Sequence, residues 1–125
     1  MPSRDMQIID HIQRYCRKIS EYMKEVGDDY TAFSENGVLI DAICLNILQI
    51  GELANTLSLE YRRSTSSDIP WRDIIGIRNI VAHHYGTIDV ERIWDTVKQD
   101  IPLLNDFCEA QSGGHKHSLD FGQQM

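Results

Sequence analysis

The sequence predicts an all-α protein, an up-down bundle of four or five helices. Two observations predict it. Apolar residues recur at alternating spacings of three and four along most of the 125 residues, which is the period of one helix face. No segment alternates apolar and polar residues over a useful strand length. A chain of this length fits one compact domain with one core.

The first helix is predicted from about Ser3 to Val26. Ser3 is a plausible N-cap, and the acidic Asp5 suits the first turn. Gly27-Asp28-Asp29 ends the apolar pattern. The apolar stripe of this helix consists of Ile8, Ile12, Tyr15, Ile19, Tyr22 and Val26.

The second helix is predicted to begin near Ser34–Gly37 and to end at about Leu57. It is apolar over most of its circumference, which places it at the centre of a bundle or against a partner subunit. Leu59–Arg63 adds a short turn or an extension. The main stripe is Ile40, Ile43, Ile47, Ile50, Ala54 and Leu57; Leu45, Leu48 and Leu53 widen it, and Asn46, Gln49 and Glu52 interrupt it.

A loop is predicted at Ser64–Asp68, and Pro70 suits the first turn of a third helix that ends at Gly86. Asp89 opens a last helix that runs to about Cys108. Pro102 lies inside that helix and is expected to kink it or remove one backbone hydrogen bond.

Periodicity is lost after Ser112-Gly113-Gly114. We therefore place the helical domain at residues 1–112 and expect residues 113–125 to form a flexible tail.

The net charge of −7 argues against a protein that coats nucleic acid through a general electrostatic field. Binding of RNA would instead depend on a few placed cations, such as Arg62, Arg63, Arg72 and Arg78.

Nothing in the sequence favours a metal site, a disulfide or a membrane segment. Cys16, Cys44 and Cys108 each lie on an apolar stripe, where a free thiol behaves as a small apolar side chain. No apolar run approaches the roughly 20 residues of a membrane span, and Met1–Asp5 does not lead into a signal-peptide pattern. No Glu-x-x-His pair of a metal-binding bundle occurs. We expect a cytoplasmic protein without metal or cofactor.

The segment from Arg78 to Tyr85 concentrates groups that could cleave RNA without a metal. Arg78 supplies a permanent charge suited to phosphate oxygens, and His83 can transfer a proton near neutral pH. On an ideal helix their side chains point about 140° apart. Three arrangements could still bring Arg78 and His83 to one phosphate. The last turn of the helix could loosen, the long arginine side chain could reach across, or a second subunit could complete the cleft.

This segment resembles the HepT-like toxins of the HEPN superfamily. Arg78-Asn79-x-x-x-His83-x-Tyr85 matches their signature of arginine, four residues, histidine, one residue and tyrosine. The polar residue after the arginine is part of that pattern. The resemblance spans about residues 4 to 108 and includes Ile50-Gly51-Glu52, Pro70-Trp71, and Asp89 with Trp94.

The resemblance implies a homodimeric, HEPN-like bundle that acts as an RNase toxin in a toxin–antitoxin pair of the type II or type VII kind. Arg78 and His83 match the catalytic positions, with Asn79 and Glu52 as supporting residues. The partner implied is a minimal nucleotidyltransferase (MNT) antitoxin, which transfers AMP to the tyrosine, here Tyr85. The toxin forms a homodimer or a higher assembly with this antitoxin.

Less specific interpretations remain open. His83 could simply favour a helix C-terminus, Tyr85 could be a partly buried aromatic, and Arg78 could pair with Glu52 across the bundle. The alternative function is a non-catalytic helical dimer that binds a nucleotidyltransferase or a nucleotide.

Overall fold

The computed structural model describes residues 3–82 and 89–120, except for the side chains of residues 80, 82 and 112–120. Within this part of the chain every regular element is helical, which confirms the predicted all-α class. The helices are α1 (Arg4–Met23), α2 (Tyr30–Ser34), α3 (Gly37–Asn55), α4 (Leu59–Ser64), α5 (Trp71–Ala82), α6 (Val90–Asp95) and α7 (Ile101–Asp120), with a π-helical segment, Thr96–Asp100, between α6 and α7.

The long helices pack side by side in an up-down bundle, as predicted. Helix α1 packs against both α3 and α7, and α5 packs against α3. Two contacts fix the directions. Asp5, at the start of α1, accepts a 2.9 Å hydrogen bond from the backbone N–H of Ser58, just after α3. Ile19 and Met23, late in α1, line the same small cavity as Ile101 and Pro102 at the start of α7. Both neighbours of α1 are therefore antiparallel to it.

The core is built from the predicted apolar stripes. The fully buried side chains include Ile12, Ile19, Ile43, Ile47, Ile50, Ile93, Ile101 and Leu104. All three cysteines are free and buried, and burial raises the pKa of Cys16 to about 12 and that of Cys44 to about 11. These thiols stay protonated at neutral pH and serve as apolar packing groups, as the sequence predicts.

Helix α3 is the one helix of the described residues that is long and apolar enough to cross a membrane by length and composition. Half of that stretch is buried inside the bundle, and α3 packs against both α1 and α5. The apolar character of α3 therefore has a structural explanation as the central helix of a bundle.

Helix starts follow the predicted capping residues. The hydroxyl of Ser3 accepts from the N–H of Met6 at 3.1 Å, and the carboxylate of Asp89 accepts from the N–H of Arg92 at 3.2 Å. These side chains satisfy N–H groups that a helix leaves free at its start. The predicted end of the third helix at Gly86 lies outside the described residues.

Two short helices depart from the predicted pattern. Helix α2 was not expected, because Gly27-Asp28-Asp29 indicates a break; the chain turns there, with Gly27 at a φ of 59°, and Asp29 then caps the new helix at the N–H of Ala32. Five residues are too few for a periodic signal. Helix α4 forms a separate helix capped by Ser58, rather than an extension of α3.

The irregularity predicted at Pro102 takes the form of the π-helical segment Thr96–Asp100 immediately before it. Proline has no N–H to donate and its ring crowds the carbonyl four residues earlier, so a widened turn is a physical response to its position. The backbone of α7 continues beyond Ser112 to Asp120. The domain boundary at residue 112 and the flexibility of residues 113–125 stay predictions.

Candidate functional site

The candidate site lies at a close contact between α3 and α5. At Gly51, an added Cβ would lie 2.8 Å from the Cβ of Arg78 and 3.4 Å from the carbonyl oxygen of Ile75. A separation of 2.8 Å is too short for two carbon atoms, so the absence of a side chain at Gly51 is what allows this contact. The stem of Arg78 therefore lies directly on the backbone of α3.

Glu52 holds the other end of the Arg78 side chain. One guanidinium nitrogen of Arg78 lies 3.2 Å from a carboxylate oxygen of Glu52. The Arg78 side chain is 28% exposed and that of Glu52 is 64% exposed. A pair this accessible to water contributes little stability, about 0–1 kcal/mol. Its effect is to orient the guanidinium at the protein surface. The pairing of Arg78 with Glu52 across the bundle was one of the alternatives that the sequence left open.

Helix α5 separates its apolar and polar residues. Ile74 and Ile77 are buried, whereas Asn79 is exposed and Arg78 is partly exposed. Asn79, predicted as a supporting residue, therefore lies beside Arg78 on the accessible part of the helix. Of the predicted site residues, the structure brings Arg78 and Glu52 together and places Asn79 next to them in the chain.

A cleft continues from this contact towards α4. It has a volume of about 480 Å³ and includes Ile75 of the Gly51 contact in its wall. Arginines from two helices meet there. Its lining residues are Asn55, Leu59, Arg62, Arg63, Ser66, Trp71, Arg72 and Ile75.

A second groove, on the other side of α5, is richer in acidic groups. It has a volume of about 470 Å³ and lies between α5 and the segment from α6 to the π-helical turn. Burial raises the pKa of Asp100 in this groove above its ordinary value, and the carboxylates of Asp73 and Asp95 add to the effect. Arg72 and Arg92 also line this groove, but its carboxylates outnumber them. Carboxylates repel the phosphates of RNA, so this groove suits an RNA backbone less well than the cleft on the α4 side.

Comparison with models of protein families identifies the family to which most of the chain belongs. The family model described as ribonuclease HepT-like matches residues 12–111. The chain belongs to this family.

Its curated relatives in the HepT-like family carry names of the same kind. A candidate RNase of Methanocaldococcus jannaschii is 29% identical over 83% of this chain and 94% of its own length. A candidate RNase of Caldanaerobacter subterraneus subsp. tengcongensis is 31% identical over 77% of this chain and 83% of its own length. A probable ribonuclease HepT of Thermococcus cleftensis is 38% identical over 44% of this chain and 49% of its own length. No solved structure matches the chain.

Membership in the HepT-like family confirms the resemblance drawn from the sequence, and the activity named at the level of the family is that of an RNase. His83 and Tyr85 lie outside the described residues. Their predicted roles, and the convergence of His83 with Arg78, stay predictions.

The role of Gly51 in forming the site is not predicted from the sequence. Gly51 was noted as part of the resemblance, but its place opposite Arg78 was not predicted. The signal that could have revealed it is a glycine inside a strongly apolar helix, next to a glutamate, since such a glycine weakens a helix and usually has a packing reason.

Proposed function

We propose that this protein is a metal-independent endoribonuclease and the toxin of a toxin–antitoxin pair, with Arg78 and His83 as catalytic residues. The observation that carries the proposal is the position of Arg78, which is held between Gly51 and Glu52 with 28% of its side chain exposed to solvent. Membership in the ribonuclease HepT-like family supports RNA as the substrate class.

The proposed reaction needs only a base and a cation. The imidazole of His83 takes the proton of a ribose 2'-hydroxyl, and the 2'-oxygen attacks the adjacent phosphorus. Arg78 stabilises the charge that accumulates on the phosphate oxygens. The 5'-oxygen leaves and takes a proton from water, while the imidazolium of His83 returns its proton to the solvent. The products are a 2',3'-cyclic phosphate and a 5'-hydroxyl end. Glu52 is a positioning residue, because its contact with the RNA would be through the orientation of Arg78.

Regulation by AMP transfer to Tyr85 is the second part of the proposal. The antitoxin would be an MNT-type nucleotidyltransferase, which attaches AMP to the tyrosine hydroxyl. Such an adduct adds bulk and negative charge within seven residues of Arg78 in the sequence. Charge repulsion and direct pairing with the guanidinium both oppose binding of an RNA phosphate.

A homodimer is proposed as the assembly that completes the site. On α3, Val38 is 83% exposed and Leu45 is 59% exposed. These residues and Glu52 follow one another at intervals of seven, so they share one stripe of the helix. A second copy packed along this stripe would cover two exposed apolar side chains and bring its own Arg78 and Glu52 near the first pair. The complete cleft would then contain two copies of the motif.

The proposal is tested with purified protein and a labelled RNA of mixed sequence, in buffer containing EDTA. We expect cleavage that leaves 2',3'-cyclic phosphate ends, and no cleavage of the same strand carrying 2'-deoxyribose. Arg78→Ala and His83→Ala are expected to lower the rate by about 100-fold or more, since each removes one half of the catalysis. Glu52→Gln is expected to lower kcat by about 10-fold with little change in KM, because a small misplacement of the guanidinium acts on the transition state.

Arg17→Ala is the matched control, because Arg17 is an exposed arginine on α1. Its rate should equal that of the native chain. Equal rates for Arg78→Ala and Arg17→Ala would contradict the assignment of Arg78, and intact RNA after incubation with a folded, unmodified dimer would contradict the enzyme proposal as a whole.

The second candidate is a non-catalytic dimer that binds a nucleotidyltransferase or a nucleotide. The net charge of −7 and the exposed Val38 and Leu45 favour it, because they describe an acidic protein with an apolar docking face. This candidate predicts tight co-purification with an MNT-type nucleotidyltransferase, and growth arrest that does not change with His83→Ala. Relief of growth arrest by His83→Ala would exclude it.

A further inference from the structure

We propose that the cleft lined by Arg62, Arg63 and Arg72 is the path of the RNA strand, and that these arginines bind its phosphates next to Arg78. The inference rests on the proposed function and names the surface that would hold the substrate of the same site. We call this surface the arginine cleft. It uses residues from α4 and α5 that the family signature does not include.

The arginine cleft concentrates positive charge on a protein with a net charge of −7. Three of the twelve lysine and arginine residues of the chain line this one cleft. None of the described residues that line it is acidic. An anion entering the cleft therefore meets a local field opposite in sign to that of the whole molecule.

Between described side chains, the ion pairs of Lys24, Arg78 and Lys98 do not involve Arg62, Arg63 or Arg72. The Nε of Arg62 is buried and has no hydrogen-bond partner in this part of the chain. A buried polar group without a partner is costly. Because this atom is shielded from solvent, a ligand in the cleft would relieve the cost only through a movement of the Arg62 side chain.

Arg72 occupies a different helix position from the other two arginines of the cleft. Arg62 and Arg63 lie in the last turn of α4, where the helix dipole favours a cation. Arg72 lies in the first turn of α5, where the dipole disfavours one. Arg72 borders both the arginine cleft and the groove that contains Asp73, Asp95 and Asp100. The carboxylates of that groove offset the dipole, and Arg72 supplies the third positive charge of the cleft.

The arginine cleft leads to the catalytic arginine. Ile75 lines the cleft, and its carbonyl oxygen belongs to the close contact around Gly51. Arg78 follows one helical turn later, so Arg72 and Arg78 are separated by about 9 Å along the helix axis. A few nucleotides of a single strand cover that distance. A phosphate bound at Arg72 would therefore place a following phosphate near Arg78.

The remaining lining residues suit a nucleotide more than an inorganic anion. Leu59 is 60% exposed, and with Ile75 it offers an apolar surface for a base or a ribose. Asn55 and Ser66 add hydrogen-bonding groups. The planar guanidinium group of an arginine can donate two hydrogen bonds to two oxygens of one phosphate. Apolar surface next to three guanidinium groups is the combination that a single-stranded RNA requires.

The test measures binding separately from cleavage. A fluorescein-labelled, fully 2'-O-methylated 12-mer RNA cannot be cut, so the native chain can be titrated with it at 50, 100 and 200 mM KCl. For the variant R62Q/R63Q/R72Q we expect affinity to fall by about 10- to 100-fold at 50 mM KCl. The slope of log K against log salt should become shallower by about 2, since each phosphate contact to a single strand contributes about 0.7.

The control variant is R14Q/R17Q/K18Q, which removes three exposed positive charges from α1 and changes the net charge by the same amount. It should change affinity by less than about 3-fold, because α1 packs on the side of α3 and α7. Circular dichroism establishes that both variants fold. Equal losses in the two variants would overturn the inference, since net charge alone would then explain them, and so would the absence of any binding to the native chain.

Cleavage assays separate this inference from the proposed function. Cleavage by the native chain with an unchanged KM in R62Q/R63Q/R72Q would overturn the arginine cleft and leave the RNase standing. Binding through the arginines without cleavage by the native chain would support the cleft and contradict the RNase. Loss of co-purification with a nucleotidyltransferase, with RNA affinity intact, would make the cleft a protein interface and overturn the inference.

Discussion

Helix α3 is joined to the rest of the bundle by two different kinds of contact. Along one stripe, Ile43, Ile47 and Ile50 are completely buried and fill the core with branched apolar side chains. At Gly51, one residue further along, there is no side chain, and the backbone of α3 lies directly on the stem of Arg78. The isoleucine stripe buries apolar surface, and the Gly51 contact brings Arg78 close to the backbone of α3.

The difference shows how stability and function are divided within a single helix. Burial of apolar area is non-directional, so the isoleucine stripe stabilises the bundle without fixing the place of any polar group. A glycine contributes no buried side chain and weakens a helix by about 1 kcal/mol relative to alanine. In exchange, it brings Arg78 close enough to α3 for Glu52 to pair with it. Two predictions test this division, and a third concerns the acidic groove beside α5.

The largest effect is expected in the isoleucine stripe. Ile47→Ala removes a fully buried side chain and leaves a cavity, so the free energy of unfolding should fall by about 2–5 kcal/mol. Urea denaturation followed by circular dichroism measures it. Leu103→Ala is the control, because Leu103 is 48% exposed on α7 and should change stability by less than about 0.5 kcal/mol. Similar losses at the two positions would mean that burial does not control stability here.

A substitution at Gly51 is expected to change the free energy of unfolding less than Ile47→Ala does, but to lower RNA cleavage more. Gly51→Ala gains helix propensity but forces Arg78 and α5 away from α3, with a net destabilisation of about 1–2 kcal/mol. RNA cleavage should fall more than stability explains, since Arg78 loses its place. Gly76→Ala is the control on α5: nothing lies within 4 Å of its added Cβ, so it should stabilise the protein by up to about 1 kcal/mol. Stabilisation by both substitutions would disprove the close contact.

The smallest change in the free energy of unfolding is expected for a substitution at Asp100, in the groove on the opposite side of α5. Burial and the neighbouring carboxylates raise its pKa in the folded state. A raised pKa means that the folded state binds the proton more tightly, so this stabilising effect is present at low pH and is lost as the pH rises through the folded-state value. Asp100→Asn should therefore stabilise the protein at pH 7, by at most about 0.5 kcal/mol, and by less at pH 3.5. Thermal unfolding at the two pH values measures the difference; a larger gain at pH 3.5 would contradict the sign.

Much of the fold followed from local signals. The spacing of isoleucines predicts α1 and α3, and the caps Ser3 and Asp89 mark helix starts correctly to the residue. The missed elements are those with little local signal. Helix α2 has five residues and begins directly after a glycine-containing turn. Its stability comes from tertiary packing, since Phe33 is fully buried with its ring centroid 5.0 Å from that of Trp94.

The sequence predicts which residue types form the candidate site, but only part of how they are arranged in space. Arg78 and Glu52 were both named from the sequence, and their pairing was one of the open alternatives. The contact at Gly51 and the arginine cleft could not be read from spacing, because both join residues on different helices. Which faces of α3, α4 and α5 meet is set by how the whole core packs.

By itself, the sequence determined that the chain is helical, where most of its long helices begin, and which short segment carries an arginine with proton-transferring chemistry. These features depend on neighbours within one or two turns, whose geometry is fixed by the helix. Only the tertiary structure decided that Gly51 receives Arg78, and that three arginines from two helices line one cleft. Such contacts form only when separate helices are pressed together by the burial of their apolar faces, and helical periodicity does not encode which polar groups then become neighbours.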